Sequence, residues 1–191
     1  LNTVLNQKDE IAEVFVGHPI EAFQKGVAFA ENIYCPEVPG LADIVVVSSY
    51  PADIDFWQAS KAMEYAYGGI KKGGTIVLVT PCPERIETNH PTFSERASFS
   101  YEENLRAMKS GEIQDQIAGG FLLAHSKMLE NVEVICYSHG LTAKDKEKLG
   151  IKHASTIEEA MEMAFKSQGR DAKVGVLKCG EILPAICNHL M

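Results

Sequence analysis

Two periods of apolar residues run through this chain, and the places where one gives way to the other lay out most of its elements. From Asp43 the run Ile44-Val45-Val46-Val47 is β-branched throughout and too short for a helix, which predicts a buried strand. Ser48-Ser49-Tyr50-Pro51 breaks it, because Pro51 removes a donor and biases Tyr50 away from the helical region. A helix is predicted from there to about Tyr67, with Asp53 as its N-cap. At 3.6 residues per turn Phe56, Ala59, Ser60, Met63, Ala66 and Tyr67 share one face, the one expected to lie on the sheet. Ile54, Trp57, Gln58, Lys61 and Tyr65 fall opposite. Lys71-Lys72-Gly73-Gly74 then reads as a turn into a second buried strand, Thr75 to Val79. Strand, helix and strand at this spacing form a βαβ unit with parallel strands and a right-handed crossover.

The flanks follow the same logic. Thr3–Leu5 and Ile11–Val16, around a polar turn, predict a β-hairpin. A helix starts at Pro19, with Ile20, Phe23, Val27, Ala30 and Ile33 as its apolar stripe, and residues 34–40 read as a loop. Residues 80–93 form a proline-rich loop leaving the second strand. Helical patterns cover Ser94–Met108 and Ile113–Met128, and Val132–Tyr137 is a third strand. A short helix at Thr142–Leu149, a short strand at 151–154, a helix from Ile157 to Lys166 and a last strand at Val174–Leu177 complete the pattern, which Pro184 ends. The expected fold is α/β, a mainly parallel sheet with helices on both faces and an N-terminal β-hairpin at one edge. A single domain is expected over residues 1–191.

Composition narrows the function. A net charge of −8 with pI about 5.3 argues against a nucleic-acid partner, which normally needs a basic stripe. No stretch of 18 apolar residues appears, so a membrane partner is not expected. Five cysteines, odd in number and scattered, predict reduced thiols and a cytoplasmic location. The turn after the first βαβ strand lacks the glycine-rich pattern of a dinucleotide or phosphate site. The six histidines show no metal-ligand spacing. His139, just past a strand, is a better site candidate than the other histidines, although a turn histidine is the plainer reading, and Cys82 and Cys179 read as small packed hydrophobes.

One constellation remains. Gln58 and Lys61 project together from one helical face beside the only tryptophan, Trp57, near the C-terminal end of a strand, where open α/β sheets bind ligands. The plainer reading is a solvated face with a lysine stem lying along an aromatic ring.

The stretch SYPADIDFWQASKA, followed by GGIKKGGTIVLVTPC, resembles the C-terminal domain of the lactate racemase family, the nickel-pincer-nucleotide racemases and epimerases. The resemblance runs from VLNQKDEIAEVFVGHPIEAFQKG to VGVLKCGEILPAI, and departs at Ser48-Ser49, where extra glycine is usual. It implies that Gln58 and Lys61 are catalytic, and that Trp57 and Tyr50 face substrate and cofactor. It implies a small 2-hydroxy acid substrate, racemised by hydride transfer from its α-carbon. The cofactor is expected on an N-terminal domain of the same chain that lies outside these residues. No metal ligand, no bound cofactor and no activity are then expected of this stretch alone. The alternative from another class is a noncatalytic small-molecule-binding or interaction domain sharing the fold.

Overall fold

The computed structural model describes residues 1–86 and 89–186; Cys187 and His189 lie outside the described residues. Strands β1 (Asn2–Leu5) and β2 (Ile11–Phe15) form an antiparallel hairpin, a two-stranded sheet of its own. Helix α1 (Pro19–Tyr34) packs on it through Ala22 and Gly26, both buried. The stripe that the spacing marks on α1 is turned outward: Ile20 is 61% and Phe23 60% exposed. The loop expected at 34–40 contains a short strand, β3 (Glu37–Val38).

Next come β4 (Ala42–Ser48), α2 (Phe56–Tyr67) and β5 (Ile70–Thr80). The two strands are parallel, as the βαβ reading requires. Lys71 to Gly74 is a bulged part of β5 rather than a turn before it: Ala42 pairs with Ile70, and Ile44 already with Thr75. Glycine is needed there, because Gly73 has φ +82° and a Cβ on Gly74 would lie 2.8 Å from the Asp43 carbonyl oxygen. The helix expected over 94–108 is two helices, α3 (Pro91–Arg96) and α4 (Tyr101–Ser110). Ser100 and Glu103 form a reciprocal capping box that starts the second.

Then follow α5 (Gln116–Leu129), β6 (Glu133–Ser138), α6 (Ala143–Lys148), β7 (Lys152–Ala154), α7 (Ile157–Gln168) and β8 (Val174–Leu177). Past Pro184, β9 (Ala185–Ile186) pairs in parallel with β3.

The main sheet is all parallel, in the order β7-β6-β5-β4-β8. Its three central strands, β4, β5 and β6, are largely buried on both sides, which explains their continuous apolar runs. Val45, Val47, Ile76, Leu78, Val134 and Cys136 pack with Phe56, Ala59 and Met63 of α2 and Leu122 of α5. Ile44, Val77 and Ile135 point the other way, onto Ala160 and Ala164 of α7. The sheet order reverses at β4, so the turn leaving its C-terminal end stands at a topological switch point.

Candidate functional site

The turn after β4 is anchored from below and from the side. Ser49 is buried and donates to Thr80 Oγ1 at 2.7 Å; Thr80 Oγ1 lies 3.0 Å from Cys82 Sγ. Burial pushes the Cys82 thiol up to about 12, so it stays protonated and is no nucleophile at neutral pH. Tyr50 is 65% exposed, precedes a cis Pro51, and its carbonyl accepts from Gly180 N–H at 2.7 Å.

The N-cap of α2 is Asp55, not Asp53: its carboxylate accepts from Gln58 N–H at 2.8 Å. The chain leaving β5 fixes this choice. Phe56 N–H donates to Arg85 O at 2.8 Å and Trp57 N–H to Ile86 O at 3.1 Å, while Cys82 N–H donates to Asp53 O. Three backbone donors at the start of α2 are therefore occupied, and the helix terminus has little left to offer an anion. Only side chains are left to offer donors there.

Phe56, Ala59 and Met63 are fully buried against the sheet, on the face that the spacing marks. On the other face Lys61 Nζ donates to Gln58 Oε1 at 2.6 Å, with both residues half-buried. An ammonium has no acceptor, so Gln58 must turn its oxygen to Lys61 and its NH₂ group away. The pair thus presents only donors, which suits a carboxylate or a developing alkoxide.

Trp57 stands between two rings. His90 stacks on one face at 4.5 Å between centroids and Phe121 on the other at 4.2 Å, while Phe93 meets it edge-on at 5.5 Å. With both faces covered, the indole has only its edge to turn outward. His90 Nδ1 is 2.7 Å from Asp115 Oδ2, and that hydrogen bond holds the Asp115 carboxyl below the ordinary carboxylate range. Gln58, Lys61 and Trp57 are thereby brought together. Tyr50 sits on the preceding turn, and among the described residues no hydrogen bond or ring contact joins it to them.

The loop read over residues 80–93, beside the turn after the first strand, does supply His90; sequence spacing misses Asp115 and Phe121, which come from a distant helix. His139 meets the Tyr137 ring edge-on and hydrogen-bonds to its hydroxyl at 2.8 Å, on an exposed turn. His125 is buried, with Nε2 2.9 Å from Leu149 O. Among the described residues no group of three or more His, Cys, Asp or Glu side chains is placed to hold a metal ion, and no helix is long and apolar enough to cross a membrane. An apolar groove along β8, lined by Val38, Leu41, Val45, Val174 and Val176, contains none of the site residues.

Residues 39–182 match the family described as lactate racemase C-terminal domain. The chain is 26% identical over 188 residues to a lactate racemase of Lactiplantibacillus plantarum, covering 94% of this chain and 43% of that protein. Its fold is that of the lactate racemase apoprotein from Thermoanaerobacterium thermosaccharolyticum, with a TM-score of 0.83, 22% identity, and coverage of 97% of this chain and 45% of that one. A protein from Thermotoga maritima matches with a TM-score of 0.60 at 12% identity, over 88% of this chain and 42% of its own. The chain thus spans less than half the length of these relatives.

Proposed function

The chain belongs to the lactate racemase C-terminal domain family, and from that premise we propose that it is the substrate-facing lid of a longer 2-hydroxyacid racemase or epimerase. The observation that carries this reading is the donor-only pair of Gln58 and Lys61, joined at 2.6 Å on a helix whose first backbone donors are already occupied. Lys61 supplies positive charge to the substrate carboxylate or to an alkoxide as it forms, and Gln58 adds a neutral hydrogen bond. Trp57, held between His90 and Phe121, walls the pair on one side. Tyr50 is assigned to the rim on the strength of its exposure and its place after β4.

The nickel-pincer nucleotide that the family resemblance implies does not fit the described residues, which offer no metal-ligand cluster. Its binding and its hydride chemistry are assigned to the N-terminal part of the enzyme. The free Cys35, Cys82, Cys136 and Cys179 support a cytoplasmic location.

The test uses the full-length enzyme and its own 2-hydroxy acid. Lys61→Ala is expected to lower kcat by about 10²–10³, the usual loss for one preorganised electrostatic donor. Gln58→Ala is expected to cost about 10-fold, since a neutral hydrogen bond contributes about 0.5–1.5 kcal/mol. Wild-type turnover in a folded Lys61→Ala enzyme would refute the lid role and leave a noncatalytic binding domain as the better reading.

A further inference from the structure

The two rings that sandwich Trp57 come from different parts of the chain, yet both answer to one carboxylate. Asp115 Oδ2 holds His90 Nδ1 at 2.7 Å. Its other oxygen, Oδ1, accepts from the N–H groups of Ile117 and Ala118 at 3.1 and 3.0 Å and so caps α5. Phe121 follows in the second turn of that capped helix and covers the opposite face of the indole at 4.2 Å. His90 lies against the first face with its ring only 16° from parallel. Trp57 is the residue from which the site pair continues: Gln58 is adjacent, and Lys61 is one turn on along the same face. The way the Trp57 ring is held therefore bears on the first turn of α2, from which the two heads project.

We propose that Asp115 and His90 are a positioning pair for the site, clamping Trp57 against Phe121 and thereby setting where Gln58 and Lys61 present their donors. Neither residue touches substrate in this assignment. The inference rests on the lid reading for its functional consequence, but the clamp itself is a property of this chain and is measurable without turnover.

Three features make the clamp specific. His90 and Asp115 are both mostly sheltered, with side chains about one quarter exposed (25% and 29%), so water competes poorly with their bond. The capping oxygen and the clamping oxygen are different atoms of one group, so the cap and the clamp can be separated by substitution. The cations of α2 and α3 have partners of their own: Lys61 is turned to Gln58, and Arg96, at the far end of α3, to Glu112 and Asn104.

The experiment exploits the fact that Trp57 is the only tryptophan among these 191 residues, so the fluorescence of this chain reports this site. Asp115→Asn keeps an oxygen to cap α5, since Asn is as good an N-cap as Asp, but replaces the charged acceptor of the His90 bond. His90→Gln keeps a hydrogen-bonding side chain and removes the stacked ring. His90→Phe keeps a ring and removes the bond. Each variant is first matched to wild type in far-UV circular dichroism. His90→Gln and Asp115→Asn are expected to shift Trp57 emission to the red and to raise its quenching by acrylamide, with His90→Phe restoring part of the shielding. Emission and quenching identical to wild type in folded His90→Gln and Asp115→Asn would overturn the proposal. In the full-length racemase the same two variants are expected to lower kcat/KM by up to about 10²-fold, the scale of a small misplacement of catalytic groups. A fluorescence change with unaltered kcat/KM would overturn the positioning role while leaving the clamp in place. An enzyme that ignores Lys61→Ala as well would instead locate the failure in the lid reading.

Discussion

Replacing Lys146 by methionine should make this protein more stable. Lys146 is 0% exposed, and among the described residues the one hydrogen bond of its side chain runs from Nζ to His153 Nδ1 at 3.0 Å. The adjacent Asp145 gives it no ion pair: that carboxylate accepts from Arg85 at 2.7 Å and from the Thr142 hydroxyl at 2.7 Å. Burial accordingly lowers the Lys146 pKa from the ordinary 10.5, with Cys136, Cys82 and Asp145 acting in the opposite sense. Burying an ion costs several kcal/mol, and one charge-assisted hydrogen bond returns about 1.5–3 kcal/mol, so the sum is unfavourable. Methionine has nearly the same length and no charge. Lys146→Met is therefore expected to gain about 1–4 kcal/mol at pH 7, or about 2–4 °C in Tm for each kcal/mol in a chain of this size. Urea unfolding at several pH values checks both size and cause. The unfolded state holds its proton up to 10.5 while the folded state loses it earlier, so the penalty is full below the folded pKa. It then shrinks as pH rises from that value towards 10.5, and the advantage of the variant shrinks with it. A Lys146→Met protein about 1 kcal/mol less stable than wild type at pH 7 would refute the reasoning, as would an advantage unchanged up to pH 10.5.

Three more outcomes follow from buried groups. Met63→Ala should cost about 2–5 kcal/mol in denaturant unfolding, because Met63 is fully buried between α2 and the sheet. Gly140→Ala should cost about 3 kcal/mol by the same assay, since a Cβ there would lie 1.8 Å from the Cys82 carbonyl oxygen and the backbone would have to move. His125 has its pKa lowered from 6.5 by burial, so it stays neutral in the folded state while the unfolded chain takes up its proton. Stability should fall as pH drops below 6.5 towards the folded pKa, and His125→Phe should flatten that part of the profile in thermal melts.

The parts of the fold that sequence made legible are those where one local signal dominates. Ile44–Val47 and Thr75–Val79 are buried on both faces, so continuous β-branched runs identify them without help from partners. Phe56, Ala59 and Met63 have the same spacing as Ile20, Phe23 and Val27, yet the first set is buried and the second exposed. Spacing shows that a helix has an apolar face; it does not show what that face meets. Asp53 and Asp55 are equivalent caps by residue type, and the contacts of residues 54–57 with 84–86 decide between them. The break between α3 and α4 does carry a local signal, Ser100-x-x-Glu103, which a helical reading across 94–108 overrides. Gln58 and Lys61 could be paired from their spacing alone. The His90–Trp57–Phe121 stack could not, because no local pattern links a loop histidine to rings on two helices.

The position of β8 has a consequence for how the protein is made. Lys173, at the start of that strand, hydrogen-bonds to Asp43, 130 residues earlier, and β8 forms one flank of β4. During synthesis β4, α2, β5 and β6 emerge well before it, and for that interval β4 is an apolar edge with one row of its backbone groups unpaired. A message cut short anywhere before residue 174 would leave that edge permanently open. Such truncated chains are expected to aggregate or be degraded rather than persist, so the sheet becomes safe from edge pairing only once β8 has been made.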